Sequence, residues 1–125
     1  MNRELSIFRF LVRGVGTALI VMGLLFWSGR ALGLVPLHML LGGILVLCLW
    51  VLAGMGFRSG APGGILSLAL LFSLFMPLLG MFQGQLLPGG MHWTVEALHL
   101  IVGGGAMGLG EALIRRIGAA RMGRS

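Results

Sequence analysis

The side chains able to do chemistry are few: three histidines, three glutamates, one cysteine and nine arginines, with no Lys, Asp or Tyr. Without Lys there is no retinal-type Schiff base. Without Tyr there is no tyrosyl radical, and without Asp no Asp-centred acid/base pair. The lone Cys48 forms neither an internal disulfide nor a CxxC redox pair. Imidazole and carboxylate chemistry remains, and it is concentrated. His38 stands alone, while His92, Glu96 and His99 follow at i, i+4 and i+7, one stripe of a continuous helix. Two chemistries use such groups. A pair of neutral imidazoles on facing helices holds both axial positions of a haem iron, the pair here being His38 and His99. Alternatively His38, His92, Glu96 and His99 together suit Zn, Cu or Fe. A bundle di-iron site needs about four carboxylates, and Glu4, Glu96 and Glu111 fall at different depths.

The segments that must position these groups are those of a lipid environment. Hydrophobic residues make up 58% of the 125 and charged residues 10%, against about a quarter charged in a soluble domain. A spanning helix needs roughly 20 apolar residues, and four runs qualify, at about 8–28, 37–57, 64–82 and 94–114. Arg9 and Arg13 lie in or beside the first run. Arg3, Arg9 and Arg13 resemble the positive n-region of a signal peptide, but the first run is expected to be a span rather than a cleaved signal. The connections, Ser28 to Pro36, Arg58 to Gly63 and Gln83 to Trp93, are short and rich in Gly or Pro, as sharp turns require. The sequence therefore predicts an all-α fold: one transmembrane domain over residues 1–125, an up-down-up-down four-helix bundle. Arg3, Arg9, Arg13, Arg58, Arg115, Arg116, Arg121 and Arg124 then share one side and Arg30 the other. The positive-inside rule makes this a multi-pass protein of a bacterial-type inner (cytoplasmic) membrane with both termini cytoplasmic. The net charge of +6 reports orientation. Its basic residues lack interleaved aromatics, so no nucleic-acid partner is expected.

This orientation puts His38, His92, Glu96 and His99 in the outer leaflet, on two parallel helices, where ionisable groups are costly and usually functional. An internal repeat coincides with them. Leu37-His38-Met39-Leu40-Leu41-Gly42-Gly43 aligns without a gap on Leu98-His99-Leu100-Ile101-Val102-Gly103-Gly104. Two like-pointing hairpins related by an axis along the membrane normal would carry one copy each, with His38 and His99 facing across it. Gly42 lies one turn below His38 and Gly103 one turn below His99, a notch for the edge of a flat ring. Phe26, Trp27, Phe82 and Trp93 are candidate walls, and Arg30 is the outer cation available to a propionate. Pro77 is expected to kink the third span and widen the outer half. The middle of the second and third spans is interrupted only by Cys48, Ser67, Ser73 and Pro77, so no transport path is expected. Gly104 and Gly108 have the small-xxx-small spacing of close helix packing. Glu111 and Arg115 are spaced for an i,i+4 pair.

Taken together, four spans, two outer histidines 61 positions apart and the Ala97-Leu98-His99-Leu100 start of the last span resemble one four-helix half of the heme A synthase family. The resemblance covers essentially the whole chain. It implies a haem held between His38 and His99. That family also carries a Glu three residues before a haem-associated His. Val35 occupies that place before His38, and Glu96 the corresponding place before His99, so the methyl-oxidising activity is not implied. The expectation is a b-type haem protein with bis-His ligation, serving electron transfer or haem handling beside other membrane subunits or as a homo-oligomer. No independent catalytic site is identified. Quinol oxidation, with His92 and Glu96 accepting protons, is an extension of this reading. The alternatives are a cofactor-free accessory subunit of a larger membrane complex and the outer-leaflet metal-ion site.

Overall fold

A computed structural model describes residues 2–123; Arg124, one of the basic residues assigned to the cytoplasmic side, lies outside them. Four helices account for most of the chain: α1 (Arg3–Trp27), α2 (Val35–Arg58), α3 (Gly63–Phe82) and α4 (His92–Met122), with single 3-10 turns before α2 and after α3. All four are long and apolar enough to cross a membrane. Glycine ends the first two by the same device. Gly29 (φ 74°) and Gly60 (φ 77°) take the left-handed conformation. Gly29 N–H then bonds to Phe26 O and Arg30 N–H to Leu25 O, while Gly60 N–H bonds to Phe57 O and Ala61 N–H to Gly56 O. This is the Schellman closure, which satisfies helix-end carbonyls and turns the chain sharply. Pro36, in the first turn of α2, sacrifices an N–H that has no intrahelical partner there.

Helices α2 and α3 end within two residues of the expected spans, whereas α1 and α4 run further at the end carrying the termini. At 1.5 Å per residue the 31 residues of α4 extend about 46 Å, against a hydrocarbon core of about 30 Å. Hydropathy marks only where the apolar run ends; the helix continues because Arg and Glu are good helix formers that pair across the interface. Arg121 reaches Glu4 at 3.3 Å. Arg13 makes a two-pronged contact with Glu111, Nε donating to Oε1 at 2.7 Å and Nη2 to Oε2 at 3.1 Å, and Arg9 Nε approaches the same carboxylate at 3.6 Å. The expected Glu111–Arg115 pair is thus replaced by an interhelical one: the α1 guanidiniums reach the carboxylate in a better fork geometry than a residue one turn along α4.

Each helix packs against its neighbours in the chain, α4 closes on α1, and the diagonal contact is between α2 and α4; among the described residues α1 and α3 do not meet. The histidine-bearing helices are therefore the inner pair. The largest fully buried side chains, Leu5, Val12, Leu45, Leu49, Leu52, Ser73, Leu113, Ile114 and Ile117, lie at mid-depth or toward the terminal end. Glycines seat the helices there. A Cβ on Gly110 would come within 3.1 Å of Val12 and 3.3 Å of Leu49, and one on Gly105 within 2.6 Å of Phe72. A Cβ on Gly104 or Gly108 would meet nothing within 4 Å. The small-xxx-small pair therefore faces outward, and the glycines one and two positions on make the close approach. At mid-depth Trp50 Nε1 donates to Ser73 Oγ at 2.8 Å, which in turn donates to Leu70 O at 2.7 Å, so the buried hydroxyl is satisfied twice.

Candidate functional site

The end of the bundle away from the termini is built differently. His38 stands one turn into α2 and His99 two turns into α4. Because those helices are parallel and in contact, the two rings face each other with centroids 6.2 Å apart and planes inclined at 48°. Phe26 of α1 presents its ring edge-on to His38 at 5.3 Å. Each imidazole also lies over a glycine on the other helix of its own hairpin. A Cβ on Gly23 of α1 would sit 4.0 Å from His38 Cε1, and one on Gly80 of α3 only 3.0 Å from His99 Cε1. The relation recurs in both hairpins, as a duplicated unit would have it. The sequence signal for it was slight, one glycine in each of two spans that do not otherwise align.

Between the rings and below them is a cavity of about 290 Å³, walled by all four helices. Gly42 and Gly103 line it, and a Cβ on either would meet nothing within 4 Å, so the notch predicted from the i+4 spacing is present. Phe26, Trp27 and Pro77 also contribute to the wall. Phe82 and Trp93, the other aromatic candidates, do not; both are exposed and face the surroundings of the bundle. Two polar lining residues not singled out together by sequence, Gln83 and Glu96, stand on the α3–α4 side. At the matching places in the first hairpin, three residues past its glycine and three before its histidine, are Phe26 and Val35. The cavity is therefore polar toward His99 and apolar toward His38.

Two expected contributors lie elsewhere. Arg30 follows the Gly29 turn, is exposed, and does not line the cavity; its N–H is held by Leu25 O at 2.8 Å, which fixes it in the reversal outside the bundle. Glu96 is consequently the one formally charged side chain in the wall. His92 is the first residue of α4, and its Nδ1 donates to the Leu86 carbonyl at 3.1 Å, tying the α3–α4 connection to the helix start. Its ring is thereby engaged at the loop. Among the described residues no three of the His, Cys, Asp and Glu side chains gather closely enough to hold a metal ion, so the four-ligand ion site is not assembled.

The remaining pair can be tested against a flat metal cofactor. A group held between two histidines needs both imidazoles in one pocket, and the 6.2 Å between the ring centroids brings them there. His38 Nδ1 and His99 Nδ1 are both buried without a hydrogen-bond partner, although each such orphan costs about 1–3 kcal/mol. The chain supplies neither ring with the carboxylate or carbonyl that would fix its tautomer, so the rings are held by packing alone, against Phe26, Gly23 and Gly80. The donor pair and the mainly apolar walls are of the kind that haem ligation uses. Comparison with protein families, with characterised proteins and with solved structures returns no match to this chain.

Proposed function

We propose that this chain is a multi-pass protein of a bacterial-type inner membrane, both termini cytoplasmic, that holds a b-type haem between His38 and His99 and serves electron transfer or haem handling in a membrane assembly. The observation that carries the reading is the 6.2 Å separation of two imidazoles, one from each hairpin, over a mainly apolar cavity lined by Gly42 and Gly103. A haem held by His38 and His99 would supply one-electron chemistry, which favours the electron-transfer reading. The chain's own part is to hold and insulate. Gly23 and Gly80 let the rings seat against neighbouring backbone, Gly42 and Gly103 admit the ring edge, and Phe26 and Trp27 exclude water. Arg30 lies outside the cavity, so it offers no fixed cation there. The resemblance to one half of the heme A synthase family belongs to the same proposal, for ligation alone, because Val35 stands where that family's first-hairpin carboxylate would be.

Absorption spectra of the detergent-purified protein, oxidised and dithionite-reduced, test the reading. Sharp alpha and beta bands are expected. His38→Ala and His99→Ala should each abolish them, and His92→Ala, whose ring is tied to Leu86 O, should spare them. Absence of bands in the parent protein, or equal behaviour of all three variants, overturns the assignment.

A further inference from the structure

At the opposite end of the bundle a second constellation is left over by this function. About 30 Å of hydrocarbon equals roughly 20 helical residues; counted from the helix ends away from the termini it finishes near Phe8 on α1, Gly54 on α2 and Glu111 on α4. Arg9, Glu111 and Arg115 thus lie within about one turn of the inner boundary between hydrocarbon and headgroups, and Arg13, further in on α1, is joined to them through Glu111. Glu111 is the only carboxylate among them. It is taken up by Arg13 at 2.7 and 3.1 Å and approached by Arg9 at 3.6 Å, and Arg115 follows one turn along the same face of α4. Three guanidiniums against one carboxylate leave two positive charges in excess. Arg9 Nε is in addition buried with no hydrogen-bond acceptor, while the Arg13 side chain is 63% exposed and can snorkel toward headgroups. The other inner carboxylate, Glu4, is engaged by Arg121.

We infer that the α1–α4 seam at this end binds the phosphodiester of an acidic phospholipid, with Arg13 and Arg115 as its donors and Glu111 fixing the Arg13 fork. A phosphate meeting the exposed guanidiniums of Arg13 and Arg115 offsets the excess charge that Arg9 adds beneath them, and guanidinium forks suit this geometry better than ammonium groups. The inference rests on the membrane placement proposed above and not on the haem.

Native mass spectrometry of the protein in neutral detergent, titrated with phosphatidylglycerol or phosphatidylcholine, tests it. Phosphatidylglycerol should bind as a discrete adduct at least tenfold more tightly than phosphatidylcholine. Arg9→Gln and Arg115→Gln should each weaken it about fivefold, the loss of one juxtamembrane cation, and Arg116→Gln, which removes the same charge from the next position, less than twofold. If Arg9→Gln fails to fold, Arg115→Gln against Arg116→Gln carries the comparison. Equal binding of both lipids, or equal losses in all three variants, overturns the site in favour of general surface charge. Competition by glycerol 3-phosphate at the same concentration overturns the lipid and leaves a free-phosphate site. Lipid binding without haem bands would sink only the haem reading, and haem bands without lipid selectivity only this one.

Discussion

The two ends of this bundle use the same residue types for opposite purposes. Toward the termini, glycines are places where another side chain arrives: Gly110 receives Val12 and Leu49, Gly105 receives Phe72, and Gly56 receives Leu66 at 3.0 Å. At the end away from the termini Gly42 and Gly103 receive nothing from the chain, and the space they leave is part of the cavity. Polar groups do not divide so cleanly: Glu111 is engaged by two arginines, yet Arg9 Nε, like the Nδ1 of both facing imidazoles, is buried without a hydrogen-bond partner. Glycine positions toward the termini are filled by the chain's own side chains, and Gly42 and Gly103 at the other end stay open beside a cavity. Stability should therefore reside toward the termini and binding at the outer end, and substitutions should separate the two.

The largest effect on folding is expected from Leu49→Ala. Leu49 is fully buried where α1, α2 and α4 meet, and truncating such a leucine costs roughly 2–5 kcal/mol, read as a shifted midpoint in detergent-titrated unfolding while His38–His99 geometry, and so any haem spectrum, is retained. Gly110→Leu follows at about 1–3 kcal/mol, because the new side chain has to displace Val12 and Leu49 in a packed seam. Gly103→Leu should do the reverse: with open space at its Cβ it leaves the unfolding midpoint within about 1 kcal/mol or raises it, by helix propensity, yet it should abolish the haem bands by filling the notch. A Gly103→Leu protein that keeps full haem content would break the division between the halves.

Within the outer half the comparison sharpens to the two hairpins. A methyl at Gly80 would press on His99 at 3.0 Å, one at Gly23 would only touch His38 at 4.0 Å. Gly80→Ala is accordingly expected to weaken haem retention severalfold and Gly23→Ala hardly at all, measured as haem per protein after dilution into haem-free detergent. Equal effects would mean that the rings are seated by their own helices rather than by the glycine opposite.

How far these features were legible in the chain depends on whether a local rule carries them. The four helices, their order and the approach of His38 to His99 follow from hydropathy, short glycine-capped turns and the LHxxxGG repeat, all local patterns. The i+4 rule sufficed for Gly42 and Gly103. Gly23 and Gly80 were not singled out, because what matters is the register in which one helix of a hairpin lies on the next, and spans one and three carry no alignable signal beyond a single glycine. Composition alone points to Arg30 as the cation at this end, but the Gly29 turn holds it outside the cavity. Glu111 was paired with its neighbour one turn along, whereas its partners come from a helix about a hundred residues away, where only packing could place them. Gly104 and Gly108 fit a motif by spacing, yet the glycines that make the close approach lie one and two residues on, turned by about 100° or more on a helix with 3.6 residues per turn.

The smallest predicted effect bears on where the two halves join. Trp50 and Ser73 form a side-chain hydrogen bond between α2 and α3 at mid-depth, and Ser73 is fully buried. In lipid the alternative to a partner is an unsatisfied group, yet measured interhelical bonds of this kind average only about 0.6 kcal/mol. Ser73→Ala also frees Leu70 O, which its intrahelical partner still satisfies. The substitution is expected to lower the unfolding midpoint by about 0.6 kcal/mol and leave haem content unchanged. A loss several times larger would mean that this bond fixes the register of the α2–α3 hairpin, and with it the height at which His99 meets His38. In that case the outer cavity would depend on the packed half for its geometry as well as its stability, and haem content should fall together with the midpoint.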